Sequence, residues 1–267
     1  MRKRKGVLTW LAFIIFLSAG RTALSATTFA HIELVDGIVS IIDDKGQSRI
    51  PHVGETIEEG DTIVTGRDGE LQARTEDHGL VAVRPNTKMK VQAYRANGDK
   101  DDKSGIFLFE GAIRSITGWI GVLYPNNYQI TTSTAAIAIR GTDHEPSYIP
   151  EPGPGEKPIA PPGTYDKVNS GSTVIRNDAG EVVVKPSQVG FAPHDAKSAP
   201  HITKSVPQFY RPSRNEDKIE KRKAELEKEI VQHRNERQEH RAQERKERRD
   251  HRKSIQHRQR HRSSSSL

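Results

Sequence analysis

Between residues 27 and 192 the chain has no stretch with helix-length apolar periodicity, and glycine interrupts it at short intervals, at Gly54, Gly60, Gly66, Gly69 and Gly79. The segments left between these glycines, 62–65, 70–75 and 80–84, have the length and the apolar content of strands. A chain so punctuated builds its core from short strands and tight turns. Upstream, 29–42 and 49–57 are β-type segments separated by the hydrophilic turn Asp43-Asp44-Lys45-Gly46. Val81 and Val83, then Met89 and Val91, keep the every-second-residue alternation of strands with one wet face, and Arg84-Pro85-Asn86-Thr87 places a corner between them.

The densest apolar stretch is GAIRSITGWIGVLYPNNYQITTSTAAIAIRGT at 111–142. It reads as two strands, 112–117 and 128–139, stopped by Arg-Gly-Thr. Ala135, Ile137 and Ile139 alternate with Ala136 and Ala138, so both faces are expected to be covered. Arg140 puts a guanidinium where the buried run ends, a candidate clamp for an anion or carboxylate. Trp119, Tyr124 and Tyr128 are read as packing residues rather than an exposed aromatic platform.

The motifs G-A-I-R-S-I-T-G and T-A-A-I-A-I-R-G-T-D, with G-D-T-I-V-T-G at 60–66, D-H-G-L-V-A-V-R-P-N-T at 77–87 and G-T-Y-D-K-V-N-S-G-S-T at 163–173, resemble the periplasmic domain of the FecR family over roughly 29–192. The resemblance implies a bacterial, exported, all-β, non-catalytic domain. Family regulators relay the state of an outer-membrane iron transporter through a membrane helix to a cytoplasmic sigma-factor-binding segment. Here only six residues precede the hydrophobic segment at 7–19, so the expectation is a binding or sensing module without a direct anti-sigma role. The polar residues inside the motifs, Arg114, Arg140, Thr142 and Asp143, are the candidate partner or ligand site. Their competing reading is structural, as groups that close a buried strand.

Outside this region the ends differ from the body. Arg2–Lys5 is a basic segment, 7–19 is apolar apart from Thr9 and Ser18, and Ala23-Leu24-Ser25 offers small residues for cleavage near Ser25/Ala26. Residues 1–25 therefore read as a signal peptide, and the mature protein is expected to be periplasmic or secreted. The expected fold over 27–195 is all-β, a hairpin-rich sandwich or short β-roll, with a Pro/Gly-rich internal loop at 145–162. GIVSIIDDKG at 37–46 and GSTVIRNDAG at 171–180 align as a repeated hairpin unit. A linker follows at 196–214, then a charged single α-helix at 215–262 and a disordered end at 263–267. Ile219, Leu226 and Ile230 have coiled-coil a/d spacing, but the seam stops at Val231, so a solvated helix is expected.

Charge separates these parts. Residues 214–262 carry 18 Lys/Arg against 11 Asp/Glu, whereas 26–213 carry 19 against 24, so the body is mildly acidic and the tail basic. Basic density peaks at Arg248, Arg249, Arg252, Lys253, Arg258, Arg260 and Arg262, a candidate surface-adhesion tail for an anionic membrane surface. The alternative to a binding module is thus a structural or polyanion-binding envelope protein acting through this helix. Nucleic acid is disfavoured by the interleaved acids and the absence of tail aromatics. Hydrolase, zinc-protease and phosphate-loop motifs are absent, and no enzyme activity or cofactor is expected. With no cysteine, thiol chemistry is excluded. The acidic run 97–104 lacks EF-hand spacing, and His233/His240 and His257/His261 would make only weak chelating pairs, so no metal is assigned. The expected partner is an envelope protein or a glycan.

Overall fold

The computed structural model describes residues 27–195 and 197–264, and near and beyond residue 230 the side chains of the last helix are described only in part. The segment read as a signal peptide lies outside the described residues, as do 265–267. Among the described residues fifteen strands form one continuous hydrogen-bonded sheet that folds on itself into two facing layers. No helix among them is long and apolar enough to cross a membrane.

The first layer runs through β4 (Thr56–Glu58), β1 (Thr28–Asp36), β6 (Glu70–Thr75), β7 (Leu80–Val83) and the C-terminal halves of β9 (Lys103–Ile116) and β11 (Ala136–Ile149). It continues through the first half of β12 (Gly163–Asn177), then β14 (Val189–Pro193) and β15 (His201–Ile202). The second layer begins with β3 (Ser48–Arg49), β2 (Val39–Ile42), β5 (Thr62–Thr65) and β8 (Lys88–Arg95). It is completed by the first half of β9, the parallel neighbour β10 (Tyr128–Thr131), the first half of β11, the second half of β12, and β13 (Gly180–Val184). Three strands of 14 or 15 residues, β9, β11 and β12, therefore belong to both layers.

Such strands must bend where they change layer. β11 and β12 do so side by side: a Cβ on Gly171, at φ +78°, would sit 2.2 Å from the Gly141 carbonyl oxygen. Only glycine fits that approach, and its positive φ carries no Cβ penalty. Both halves of the repeated hairpin unit end in a hairpin, β2–β3 and β12–β13. The alternating residues Ile63, Met89, Val91, Ile106, Leu108, Ile113, Ile137 and Ile139 fill the space between the layers. Phe29 on β1 meets Tyr94 on β8 edge-on at 5.0 Å, which fixes the two layers face to face.

Several expectations change. The stretch 128–139 is a hairpin, β10 and β11, turned at Thr132–Ala135, where the Thr132 hydroxyl accepts from the backbone N–H groups of Thr134 and Ala135. Arg-Gly-Thr does not stop β11, which bulges there and continues to Ile149, so the Pro-rich loop begins at Pro150 rather than Glu145. Ala138 is exposed beside the buried Ile137 and Ile139, so that part of the strand is covered on one side only. Conversely, all four residues of β7 are buried, although alternation alone gave it a wet face. Its outer face lies under α2 (Glu216–Ser264), whose Ile219 and Leu226 pack on Leu80, Ala82 and Ile116. The first turns of the charged helix are thus docked rather than solvated. Ile230 falls among the positions whose surroundings are not described. The linker is docked too, since Phe209 and Tyr210 pack with Tyr165 and Phe191.

A short helix, α1 (Trp119–Leu123), fills the connection between β9 and β10. Trp119 and Tyr128 are buried. Trp119 donates through Nε1 to Asp102 at 3.1 Å, and the same carboxylate accepts from the backbone N–H groups of Asn97 and Gly98 at 2.7 and 2.9 Å. The acidic run 97–104 is therefore a capped turn that anchors α1.

Gly171→Ala should destabilise the fold by roughly 3 kcal/mol, since it adds the left-handed penalty to a backbone overlap. Gly46→Ala, at φ +80° with nothing within 4 Å, should cost only about 1 kcal/mol. Urea unfolding midpoints of the two variants check the contrast.

Candidate functional site

The four motif residues do not converge on one site. Arg114 on β9 and Asp143 on β11 face each other on the outer side of the first layer. Arg140, three residues earlier, points out of the opposite layer and is exposed. The reason is the bulge at 140–143, where Gly141 at φ +56° shifts the alternation of β11. Thr142 lies buried in that bulge. Its backbone N–H donates to the Thr117 hydroxyl at 2.9 Å, and its carbonyl accepts from the Thr117 N–H at 2.9 Å, tying the bulge to the end of β9.

Arg114 donates to both carboxylate oxygens of Asp143, from Nε at 2.8 Å and from Nη2 at 2.6 Å. The pair is nearly inaccessible, with side chains 5% and 1% exposed. Two parallel N–H···O bonds match the planar guanidinium to the carboxylate and fix β9 against β11. The remaining donors go to α2: Arg114 Nη1 bonds Glu216 and also Glu220, the latter at 2.7 Å. Lys223 returns from the helix to Asp143 at 2.7 Å, and Asn169 donates to the same carboxylate at 3.1 Å.

A second arginine extends the network. Arg84, at the end of β7, donates to Glu216 at 2.7 Å and lies 3.4 Å from Glu145, which also accepts from Lys167 at 2.8 Å. Burial alone would push the Asp143 carboxyl up, but hydrogen bonds from Arg114 and Lys223 and the Arg114 charge hold it far below the carboxylate range. Burial opposes ionisation of Glu216 as well. Arg84, the Ser213 N–H and Arg114 outweigh it and bring that group down to about 2. The cluster is a set of satisfied charges closed by the protein's own helix.

Further contacts place the helix. His78 and Glu229 are 2.6 Å apart, Arg222 reaches Glu33 at 3.3 Å, and Asn215 donates to Glu70 at 2.8 Å. Sequence reasoning missed Arg84, Glu145, Glu216, Glu220 and Lys223. The spacing of Glu216, Ile219, Glu220, Lys223 and Leu226 was the available signal, because it places acid, apolar and basic groups on one helical face. Of the tail candidates, Arg248 and Arg249 are exposed on α2. The side chains of Arg252, Lys253, Arg258, Arg260 and Arg262 lie outside the described residues.

A cleft of about 930 Å³ lies beside the network, between the Pro-rich loop and the linker, and Arg84, Glu145, Tyr148, Pro158, Phe209 and Arg214 are among its walls. Among the described residues no group of acids and histidines has the arrangement of a metal site.

Residues 61–148, which include all four motif residues, match the family model described as FecR protein. The chain carries a FecR domain. Helix α2, which closes over the Arg114–Asp143 pair, lies outside the matched segment. No curated protein matches the chain. Crystal structures of a candidate anti-sigma factor from Parabacteroides distasonis are similar over 55% of this chain, at 11% identity and TM-scores of 0.40 and 0.39. The chain spans 61% of that protein's length. A cell surface anchoring domain is 26% identical over 23% of this chain and 82% of its own, with a TM-score of 0.23.

Arg114→Leu should cost about 3 kcal/mol by leaving buried carboxylates short of a partner, whereas Arg140→Leu should cost less than about 0.5 kcal/mol. Denaturant midpoints measure both. Because the Glu216 carboxyl titrates below its ordinary value of 4.5, its contribution is fully present above that pH and is lost as pH falls toward 2. Hydrogen-exchange protection across 216–229 should accordingly fall in that window before protection of β9 and β11 does.

Proposed function

We propose that this FecR-domain protein is an exported, non-catalytic binding and sensing module of the bacterial envelope whose C-terminal helix sits as a latch on the domain. The observation that carries this reading is the Arg114–Asp143 pair. It lies inside the family segment, yet its free valences are satisfied by Glu216, Glu220 and Lys223 from outside that segment. Arg114 and Asp143 are ion-paired and covered, an arrangement suited to holding a helix rather than to transferring protons or attacking a substrate. The family resemblance and the basic, apolar, small-residue pattern of 1–25 support export with cleavage near Ser25/Ala26.

The test is the mature N-terminus together with cell fractionation. A start near residue 26 in the periplasmic or secreted fraction is the expected result, and an intact Met1 held in the membrane fraction would overturn export. Removal of residues 215–267 should leave capture of the envelope partner intact. Loss of capture on that deletion would move the binding activity to the basic helix.

A further inference from the structure

The two outer faces of the sandwich are unequal. The linker and α2 cover the first layer, while among the described residues no element covers the outer face of the second. Strand register lays that open face out row by row. Lys90 stands beside Phe107, Phe107 beside Thr131, and Thr131 beside Ala136. One step along the strands, Gln129 stands beside Ala138, with Arg140 following on the same side of β11. The Thr131 hydroxyl bonds the Gln92 amide at 3.2 Å and holds that amide on the same face. Phe107 and Phe109 form an accessible ring pair with centroids 4.6 Å apart, and Lys88 lies over the outer ring at 5.3 Å.

Charge on this face runs against that of the body, which is acidic over 26–213. Lys88, Lys90 and Arg140 point outward against one acid, the exposed Glu110 opposite Lys88 in the register, and among the described residues none of the three cations is ion-paired to a carboxylate. Arg176, at the far side, is paired with Glu181 at 2.7 Å. A cationic patch on an acidic domain selects an anionic partner. The remaining groups narrow the choice. Aromatic rings give sugar C–H groups an apolar surface, and primary amides and hydroxyls match sugar hydroxyls as both donors and acceptors. A lipid surface would need none of the amides, and a folded acidic protein would need a larger apolar centre. Strands about 4.8 Å apart make these groups a flat, repeating array along which an extended polymer can lie.

We infer that the open face of the second layer binds an acidic polysaccharide, with Phe107 and Phe109 under the sugar rings, Lys88, Lys90 and Arg140 on the carboxylates, and Gln92 and Gln129 on the hydroxyls. This deepens the proposed binding role and rests on it for where the polymer is met. Binding by the purified protein is read independently of export, so the two can fail separately.

The experiment is affinity electrophoresis and calorimetry of the full-length protein with polygalacturonate, with neutral dextran and phosphatidylglycerol vesicles as comparison probes. Polygalacturonate should bind with an affinity that falls as salt rises, and dextran should not bind measurably. Lys90→Ala and Arg140→Ala should each weaken binding about 3- to 10-fold, as should the charge-neutral Phe107→Ser. Arg67→Ala, an exposed charge in the β5–β6 turn, should leave it unchanged. Unfolding midpoints of all variants exclude loss of fold as the cause. The proposal is overturned if polygalacturonate does not bind at low salt, or if the vesicles bind in its place. It fails equally if the three face variants bind like the parent while deletion of residues 245–267 abolishes binding, which would assign the polyanion to the tail. Loss with Lys90→Ala and Arg140→Ala but none with Phe107→Ser would reduce the face to a nonspecific cation patch and overturn the sugar reading.

Discussion

The bidentate pair between Arg114 and Asp143 is the interaction on which the arrangement of the chain depends. It joins β9 to β11 at the point where β11 has just bulged, and so determines which residues after Gly141 face outward. Were the bulge absent, Asp143 would follow the alternation of Arg140 and point away from Arg114. A buried guanidinium and carboxylate would then each lack a partner, at a desolvation cost of several kcal/mol per ion. Pair and bulge therefore require one another. Gly141 supplies the conformation that makes both possible, and Thr117 holds the bulge by two hydrogen bonds to the Thr142 backbone, one from its N–H and one through its hydroxyl.

The same pair explains why a highly charged helix docks on a β domain at all. A guanidinium has five donors, and Asp143 uses two of them. The rest face outward on the first layer, where Arg84 adds a second cation. Glu216 answers both arginines, Glu220 answers Arg114, and Lys223 answers the remaining lone pair of Asp143. Opposite charges on the helix are thus sorted by turn, so only one rotation and one register of α2 satisfies all of them. The apolar contacts with Leu80, Ala82 and Ile116 fit that register and would tolerate others. Specificity of docking comes from the polar groups, and the apolar pair supplies area.

Much of this was legible in the sequence, and what was not has identifiable causes. Glycine spacing and short apolar segments gave the β body, and the alternation at Met89 and Val91 gave its inward face correctly. At Val81 and Val83 the same alternation implies a wet outer face, which fails because Leu80 and Ala82 are covered by a segment more than a hundred residues away. Alternation reports one buried face and cannot report what lies on the other. Arg114, Arg140, Thr142 and Asp143 stand in two adjacent motifs and invited a single site. The bulge that separates them adds no residue type a linear reading would notice, since Gly141 also suits a strand end. On the helix, the apolar seam is too short for a coiled coil, but a sheet needs only a turn or two of apolar contact, and Ile219 and Leu226 supply it.

How firmly the latch holds follows from the same groups. Ile219 and Leu226 are fully buried and together contribute about 3–6 kcal/mol of transfer free energy. The polar contacts divide by exposure. Arg114–Asp143 joins two strands of the domain and lies beneath the helix, with side chains only 5% and 1% exposed. Glu220 is more than half exposed, and its bond to Arg114 is open to water and to salt. Glu216 lies between these extremes, reaching two arginines from the first turn of α2, where it also accepts the Ser213 N–H at 3.0 Å. Helix release therefore has a natural order. Outer contacts such as Glu220 and Glu229 can open without disturbing the sheet, but Glu216 cannot leave without uncovering Arg84 and Arg114 together. A ligand that displaced the helix would have to bring its own carboxylate to that position. The side chain that starts α2, and not the long charged stretch behind it, sets the chemistry any competitor must match.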